Sequence, residues 1–401
     1  MHSVVAVTYE MDNPAKAVDD LLKQLELRGP LNKNSCGFLF CDADMNYEPV
    51  GAMLQARLPF DVVGCTSIAN FDREQGVQTF SASLLVLTAD DVRFSTVLTG
   101  ALTDENVNSE LQLAYDKAKA SADGPGKLLF LFPPFDETIT LDTYVDTLNR
   151  LSGAIPVFGG LPSSSTADDD ILVFAEGKVF SDRAVIVLLE GNVQPLFSVQ
   201  NVLSSFSDQK SLVTKAKKNV IYRVEDRTFV DYLKSVGLDT DELIAQGDLA
   251  VYVSTPLKVN MNKDEDHDGI PVVRTIKSLN PLDGSGILFG EIPELSTLSI
   301  VTMKRQDIQD SSLKAVRDIQ EQIAASSGDY VYTVLLCVSC GGRYLVMADD
   351  KEVEGKIIAD NISRSLTLSG FYAYGEVCPT HVRNGKALNR VHNESIVMCA
   401  L

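Results

Sequence analysis

Several residue types are scarce in this sequence, and each scarcity narrows the classes of protein to which the chain can belong. Tryptophan is absent from the 401 residues and histidine occurs four times, which limits the side chains available for metal binding and acid–base catalysis. Lysine and arginine number 35 against 55 aspartates and glutamates, a formal net charge of -20. Because nucleic acids and anionic membranes are bound through basic surfaces, this acidic chain is expected to bind neither.

Long apolar runs are missing as well. No uninterrupted run approaches the roughly 20 residues that a membrane-spanning helix needs, and the first residues lack the basic region of a signal peptide. The seven cysteines are an odd number, and most lie in or beside apolar, strand-like runs, where a free thiol packs as a small hydrophobic group. We therefore expect a reduced, cytoplasmic protein without membrane insertion.

The order strand, helix, strand recurs three times along the chain. In each copy a buried-type strand is followed by a helix and then by a short strand whose glycine opens a loop. The three loops start at Gly64, Gly159 and Gly370. This alternation predicts an α/β (mixed α+β) fold, in which helices cover mixed sheets built from repeated β-α-β units.

Two domains are expected from the length of the chain and from a change in composition near its middle. Residues 210–218 form a basic, polar stretch that we interpret as a loop at the domain boundary. The predicted domains are therefore residues 1–208 and residues 209–401.

Residues 369–379 have the composition of a pocket wall. Two glycines bracket three aromatic residues, and a single carboxylate, Glu376, follows the second glycine, Gly375. Because glycine permits close approach of the backbone, we expect this stretch to line a ligand site, with Tyr372 and Tyr374 as its aromatic walls.

A second stretch upstream complements this wall. An apolar strand run ends at Cys340, two glycines and Arg343. An arginine and a glutamate at two strand ends can bracket a small zwitterionic or anionic ligand, so we expect Arg343 to hold a carboxylate and Glu376 an ammonium or amide group. Lesser contributions are expected from three residues of the N-terminal loops: Cys65, Gly159 and Gly160.

An acidic stretch has the alternating oxygens of a calcium loop, at Asp264, Asp266 and Asp268. Thr275 stands where the closing bidentate glutamate of that loop is needed, so the pattern is not an EF-hand. A solvated acidic hairpin loop is the favoured interpretation, and a divalent-cation site is the alternative.

The cysteines permit a catalytic hypothesis, although a non-enzymatic protein is favoured. Cys337 and Cys340 have CxxC spacing, but no second ligand pair accompanies them, so core packing is the preferred interpretation. Cys65 lies just past a strand end, where nucleophiles occur, without an identifiable histidine base. An enzyme that uses Cys65 or Cys340 stays open as an alternative.

Short motifs spread over the chain together resemble those of FIST proteins, a two-part sensory family with an N-terminal and a C-terminal domain. The N-terminal resemblance rests on residues 62–66, 155–161 and 182–185. The C-terminal resemblance rests on Cys340-x-x-Arg343 and on residues 370–376 and 392–395. These motifs occur in the expected order over nearly the whole chain.

The resemblance implies a sensor of a small ligand, with amino acids or related metabolites as suggested ligands. For one branch of the family it implies haem and detection of nitric oxide, for which His381 and His392 are candidates, although a structural role is favoured for both. We expect no cofactor, with haem or a divalent cation as alternatives. Since the sequence contains no kinase, cyclase or methyl-accepting segment, output is expected through a signalling partner protein such as a kinase or cyclase.

Overall fold

Helices and strands alternate along the chain. The computed structural model describes residues 1–45, 47–153, 155–165, 170–201, 204–205, 210–246, 253–261, 271–326, 328–383 and 385–401. The helices are α1 (Pro14–Leu27), α2 (Tyr47–Arg57), α3 (Val107–Ala120), α4 (Leu141–Ser152), α5 (Phe229–Ser235), α6 (Thr240–Gln246), α7 (Arg305–Ala325), α8 (Gly341–Met347) and α9 (Glu352–Asn361). Within these described ranges, no helix combines the length and the apolar character needed to span a membrane.

In the described residues the strands form four sheets. Sheet I contains, from one edge to the other, β1 (His2–Thr8), β6 (Ala82–Ala89), β2 (Asn34–Cys41), β3 (Val62–Thr66), β10 (Val173–Ala175) and β11 (Lys178–Phe180). Sheet II contains, in spatial order, β26 (Lys386–His392), β25 (Glu376–Arg383), β9 (Val157–Gly160), β8 (Gly126–Phe132), β12 (Val185–Gly191) and β7 (Val92–Leu98). Sheet III contains, again in spatial order, β13 (Leu196–Asn201), β27 (Ser395–Ala400), β23 (Val334–Cys340), β24 (Thr367–Ala373), β4 (Asn70–Asp72) and β5 (Gly76–Gln78).

Sheet IV is built from the segment between β13 and α7. It contains β19 (Val272–Arg274), β18 (Leu257–Asn260), β22 (Thr297–Thr302), β15 (Ser211–Lys217), β16 (Val220–Val224), β21 (Gly286–Leu288) and β20 (Ile276–Leu279), with β14 (Ser204–Ser205) beside β22 and β17 (Arg227–Thr228) beside β16.

Sheets I, II and III repeat one pattern, which confirms the β-α-β units predicted from the sequence. Each contains a parallel pair of strands, namely β2 with β3, β8 with β9, and β23 with β24. The first strand of each pair also pairs antiparallel with a later strand, namely β6, β12 or β27. Gly64, Gly159 and Gly370 therefore occupy equivalent positions in the second strands.

A β-hairpin leaves each repeat and completes the sheet of another repeat. Hairpin β4–β5 follows β3 but pairs with β24, β10–β11 follows β9 but pairs with β3, and β25–β26 follows β24 but pairs with β9. Because this exchange is cyclic, the ends of the three second strands come together. At their meeting point the hydroxyls of Ser67 and Ser163 both donate to the carbonyl oxygen of Tyr372, over 3.0 and 2.6 Å.

The three repeated sheets share an apolar core, and helices cover their outer faces. Phenylalanines from all three repeats fill this core: Phe38, Phe40, Phe130, Phe132, Phe158 and Phe371. The rings of Phe40 and Phe371 stack with centroids 4.2 Å apart. Outside, α1 and α2 pack on sheet I, α3 and α4 on sheet II, and α7 and α9 on sheet III. The mixed α+β class predicted from the sequence is thus confirmed.

Sheet IV has its own apolar core, which includes α5 and α6. Polar side chains join it to the repeated sheets: Arg274 donates to Asp142 over 3.0 Å, and Thr140 donates to Glu291 over 2.6 Å. These contacts bring the strand that carries Arg274 against the edge of sheet II.

The loop predicted over residues 210–218 is wrong, because most of this stretch forms β15. Ser211 and Val213 are buried between β16 and β22, while the lysines of the strand face outward. The polar composition of this stretch therefore predicted a loop, although two residues of the strand are buried. The domain boundary predicted between residues 208 and 209 lies outside the described residues.

Substitution of Gly159 tests the close backbone approach on which the parallel strand pair β8–β9 depends. Its φ is 154°, and a Cβ at this position would lie 2.0 Å from the carbonyl oxygen of Leu131. We expect Gly159→Ala to lower the free energy of unfolding by on the order of 3 kcal/mol, because strain and overlap add. Urea denaturation measures this loss.

Gly51→Ala is the matched control for this prediction. Gly51 lies within α2, and a Cβ there would meet no atom within 4 Å. Alanine should stabilise this helix by about 0.5 to 1 kcal/mol. Equal effects of the two substitutions would contradict the proposed role of Gly159.

Candidate functional site

Ionisable side chains are buried together where β23 ends and where β25 and β27 begin. Cys340 is the last residue of β23, Glu376 is the first of β25, and Glu394 lies in the turn between β26 and β27. Helix α8 starts directly after Cys340 and carries Arg343 inward, and β19 ends beside Thr275. We call this group the Cys340 cluster: Thr275, Cys340, Arg343, Glu354, Glu376, Asn393, Glu394 and Ser395.

Arg343 forms a fully buried ion pair with Glu354 of α9. Both side chains are 0% exposed, and the Nε and Nη2 of Arg343 donate to Oε1 of Glu354, over 3.0 Å for Nε. Ser312 and Ser339 also donate to this carboxylate, each over 2.8 Å. A buried pair needs such additional hydrogen bonds to offset the loss of hydration, so Glu354 is a well-supported carboxylate.

Two further carboxyl groups lie near Cys340 on the other side of Arg343. Thr275 donates to Oε1 of Glu394 over 2.5 Å, and Ser395 donates to Oε2 of Glu376 over 2.6 Å. Burial raises the pKa of Glu394 to about 7, against the lowering effect of the Thr275 hydroxyl. Burial also raises the pKa of Glu376 well above its usual range, and the nearby charge of Glu394 raises it further.

The thiol of Cys340 is held in its protonated form by this environment. Burial raises its pKa well above the ordinary value, and the charges of Glu376 and Glu394 act in the same direction. A nucleophilic cysteine needs the opposite influences, namely a lowered pKa and a nearby cation or base. The cluster is therefore suited to holding protons and hydrogen bonds rather than to thiolate chemistry.

Several polar atoms of the Cys340 cluster are buried without an oxygen or nitrogen partner in the described part of the chain. They are Arg343 Nη1, Glu376 Oε1, Asn393 Oδ1 and Glu394 Oε2. Since more than about 90% of buried polar groups in proteins are paired, their concentration in one cluster calls for an explanation. A bound polar molecule is such an explanation.

The backbone at Glu394 is also unusual. Its φ is 53°, in the left-handed region that glycine and asparagine usually occupy, and the residue is fully buried. Such a conformation costs about 1 to 3 kcal/mol and persists where the surrounding structure requires it. Glu394 thus combines backbone strain, burial and a perturbed pKa.

Family comparisons agree with this architecture. The family model described as FIST N domain matches residues 35–227, and the model described as FIST C domain matches residues 229–379. The chain belongs to the FIST family. FIST domains are in general sensory, ligand-binding domains.

Comparisons with other proteins are less informative. No curated protein matches the chain. Among solved structures, a cyanuric acid hydrolase is 10% identical, with 100% of this chain and 99% of that chain covered and a TM-score of 0.33. A chorismatase is 9% identical over 99% and 97% of the two chains, with a TM-score of 0.37. The cyanuric acid hydrolase of A. caulinodans is 9% identical over 99% and 98%, with a TM-score of 0.35. Scores this low carry no conclusion about the FIST chain.

Most of the site residues predicted from the FIST sequence lie close together. Glu376 pairs directly with Gly160 across the junction of β25 and β9. A Cβ on Gly160 would lie 2.9 Å from the carbonyl oxygen of Gly375, so these glycines permit the exchange of the hairpin. Gly159 adjoins this contact, and its neighbour in β25 is Val377.

The two predicted tyrosines occupy different environments. Tyr372 is fully buried, its ring is tilted 55° against that of Tyr344, and burial and Glu354 both raise its pKa. Tyr374 is half-buried, and its ring contacts Phe135 and Phe289, with centroids 5.8 and 6.1 Å away. Its hydroxyl donates to the carbonyl oxygen of Ser164 over 2.8 Å.

Tyr374 contacts two residues that line a surface cleft of about 100 Å³. These residues are Phe135 and Phe289, which line the cleft together with Lys277. In addition, Cδ1 of Tyr374 lies 3.5 Å from the position that a Cβ on Gly341 would take. Its ring therefore lies beside residues of the cleft and beside the start of α8.

Cys65 lies apart from the Cys340 cluster. It is fully buried in the apolar core shared by the three sheets and pairs with Val173 of β10. Burial raises the pKa of its thiol. Cys65 follows Gly64, which is equivalent to Gly159 and Gly370 in the other repeats. Among the described residues, this equivalence is its relation to the cluster.

Sequence reasoning missed four features of the site: Thr275, Glu354, Glu394 and the helix after Cys340. Glu354 lies in a polar helix in which a carboxylate is typical of an exposed face. Glu394 lies in one of the motifs that carried the FIST resemblance, which was the available signal. Helix α8 was missed because its first two residues are glycines, which are poor helix formers.

The metal alternatives find no support among the residues that are described. Asp264, Asp266 and Asp268 lie outside those residues. Elsewhere in the described chain, no three histidine, cysteine, aspartate or glutamate side chains are grouped so that they could hold a metal ion.

The buried ion pair gives a first prediction for this site. Arg343→Met should lower the free energy of unfolding by about 3 to 5 kcal/mol, because it leaves Glu354 buried without its partner. The double substitution Arg343→Met with Glu354→Met should be less damaging than the sum of its parts, as a denaturation-based double-mutant cycle would measure.

The exposed pair Arg305–Asp350 supplies the control. These side chains are 2.7 Å apart and 46% and 52% exposed. Arg305→Met should therefore cost less than about 1 kcal/mol. A similar loss for both arginine substitutions would contradict the importance assigned to burial of Arg343.

Glu394 gives a prediction about pH. Its folded-state pKa of about 7 exceeds the ordinary value of 4.5, so the unfolded chain releases this proton first as pH rises. The Glu394 contribution therefore destabilises the folded state progressively from about pH 4.5 to about pH 7 and then levels off. Over this window, Glu394→Gln should gain on the order of 3 kcal/mol of stability relative to the wild type.

Urea denaturation at several pH values measures this difference, and Glu352→Gln is the control. Glu352 is exposed at the start of α9. Parallel pH profiles for the wild type and Glu394→Gln would show that Glu394 does not titrate as described.

Proposed function

We propose that this FIST protein is a non-catalytic, cytoplasmic sensory protein that binds an amino acid or a related metabolite at the Cys340 cluster. The observation that carries the proposal is the set of buried polar atoms on Arg343, Glu376, Asn393 and Glu394 that have no oxygen or nitrogen partner among the described residues. The Cys340 thiol is a hydrogen-bond partner of both carboxyl groups. A ligand with both an acidic and a basic group complements this set. Binding would supply the missing hydrogen bonds.

The roles differ from those expected from the sequence. Nε and Nη2 of Arg343 already donate to Glu354, so Nη1 is the atom proposed to donate to a ligand carboxylate. Glu394, whose pKa burial raises to about 7 and which lies near the charge of Arg343, is the proposed partner for a ligand ammonium group. Glu376, whose pKa burial raises well above its usual range, is proposed to hold a neutral polar group by hydrogen bonding.

Tyr374 is proposed to control access to the site. Its ring contacts residues of the surface cleft and lies beside Gly341. Movement of this side chain would connect the cleft to the cluster. Such movement would also transmit binding to a signalling partner, such as a kinase or cyclase, through the adjoining β8–α4 loop and sheet IV.

The described residues favour this proposal over the two alternatives. All seven cysteines are buried, and burial raises the pKa of every one of them, which disfavours a cysteine-dependent enzyme. The positions of the two candidate histidines give haem little support: His392 is buried, with Nε2 3.1 Å from the carbonyl oxygen of Cys378, and neither it nor His381 lines the cleft beside Tyr374.

Thermal unfolding in the presence of the individual amino acids tests the proposal. A ligand that binds only the folded state adds about 2.7 kcal/mol of stability at 100 times its dissociation constant. We expect at least one amino acid to raise the melting temperature. Calorimetry on Glu394→Gln should then show affinity reduced about tenfold or more, because one charged hydrogen bond is lost.

Glu352→Gln should bind the same ligand with wild-type affinity. The proposed site would be wrong if Glu394→Gln and Glu376→Gln both bound an identified ligand normally. The ligand class would be wrong if no amino acid changed the melting temperature.

A further inference from the structure

A second cleft lies at the junction of the first and third repeats, away from the Cys340 cluster. It has a volume of about 200 Å³ and is bounded by β1 and α1 on one side and by hairpin β4–β5 and the start of β24 on the other. Three arginines line it: Arg28, Arg73 and Arg364. We call it the arginine cleft.

This concentration of arginine is unexpected in a chain with a formal net charge of -20. Two acidic residues, Asp72 and Glu74, also line the cleft. Asp72 is occupied by its own turn, since it accepts hydrogen bonds from the amides of Glu74 and Gln75 and from the side chain of Gln78. Glu74 is therefore the carboxylate that would compete with a bound anion for the arginines.

The three arginines are only partly neutralised. Arg28 pairs with Glu74 over 2.7 Å, in a pair whose side chains are 40% and 58% exposed. Arg73 donates through Nη1 to the carbonyl oxygen of Ala359 in α9 and through Nη2 to that of Ser363 just beyond it, but its buried Nε has no partner among the described residues. For Arg364, no hydrogen bond or ion pair with another described residue is found.

The proximity of Arg73 and Arg364 is electrostatically unfavourable without a counter-ion. Burial lowers the pKa of Arg73, and the positive charge of Arg364 lowers it further. Two like charges close together on one side of a concave surface attract an anion, and Arg28 faces them from the side of α1. Thr367 and Gln24 also line this surface, and both donate to carbonyl oxygens of β1, at Ser3 and Val7, so the arginines are the groups left to bind an anion.

We propose that the arginine cleft binds a small oxyanion of the phosphate or phosphate-monoester class. Guanidinium groups are suited to oxyanions because their N–H groups form paired, charge-assisted hydrogen bonds. Arg28 and Arg364 approach from different repeats, so the bound anion would join α1 of the first repeat to the segment between α9 and β24 of the third. This site is independent of the proposed amino-acid site.

Calorimetric titration of the full chain with inorganic phosphate tests the inference, against potassium chloride at matched ionic strength. We expect saturable binding of phosphate and none of chloride. Arg364→Gln should weaken phosphate binding about tenfold, the effect of one charge-assisted hydrogen bond. Glu74→Gln should strengthen it, because Arg28 is released from its competing carboxylate.

Arg383→Gln and Glu394→Gln are the controls. Arg383 is exposed at the end of β25 and does not line the arginine cleft, and Glu394 belongs to the Cys340 cluster. Both should bind phosphate as the wild type does. Absence of saturable phosphate binding, or equal weakening by Arg364→Gln and Arg383→Gln, would overturn the proposal. Repeating the titration with glycerol 3-phosphate distinguishes the sources: tighter binding than inorganic phosphate identifies a monoester, and equal binding identifies the free anion.

Discussion

Each repeated sheet of this protein is completed by a hairpin from a different repeat, and the rest of the structure depends on this exchange. Antiparallel pairing of β25 with β9 requires the backbones at Gly160 and Gly375 to approach within a distance that excludes a Cβ. At Gly370, which pairs with Phe71 of hairpin β4–β5, a Cβ is excluded because the ring of Phe71 lies against it. Because each repeat supplies an edge to another, none of the three sheets is complete within one repeat.

The exchange also determines where polar groups can be buried. It brings the start of β25 and the turn before β27 against the end of β23, and so collects three glutamates around Cys340 and Arg343. One of them, Glu354, is compensated by an ion pair and two serine hydroxyls. The other two each accept one hydroxyl hydrogen bond, from Ser395 or Thr275, and burial raises the pKa of both, as expected for carboxyl groups removed from water. This contrast separates the structural carboxylate of Glu354 from the two carboxyl groups that we propose bind a ligand.

The cleft beside Tyr374 and the arginine cleft differ in the residues that line them. The first is lined by the aromatic rings of Phe135 and Phe289, whereas the second is lined by three arginines. Both lie where elements of different repeats or sheets meet, and such junctions are common places for ligand sites. A protein that senses a metabolite would gain from this arrangement, because a molecule bound at a junction changes the contact between the elements on either side.

Local patterns along the chain were enough to predict the repeated β-α-β units, the mixed α+β class and the FIST resemblance. These depend on periodicity, on glycine positions and on short motifs, all of which are visible without a structure. The same patterns brought Arg343, Cys340 and Glu376 together as candidates, because strand ends of equivalent units lie at the same edge. Only the packing between distant segments showed that Glu354 forms an ion pair with Arg343 and that Glu394 belongs to the site. These partners lie on other elements, and a carboxylate in a polar helix or turn has the same local pattern whether it is exposed or buried. The cyclic exchange of hairpins likewise emerged from the fold alone, since strand pairing between distant segments leaves no periodic signal in the sequence.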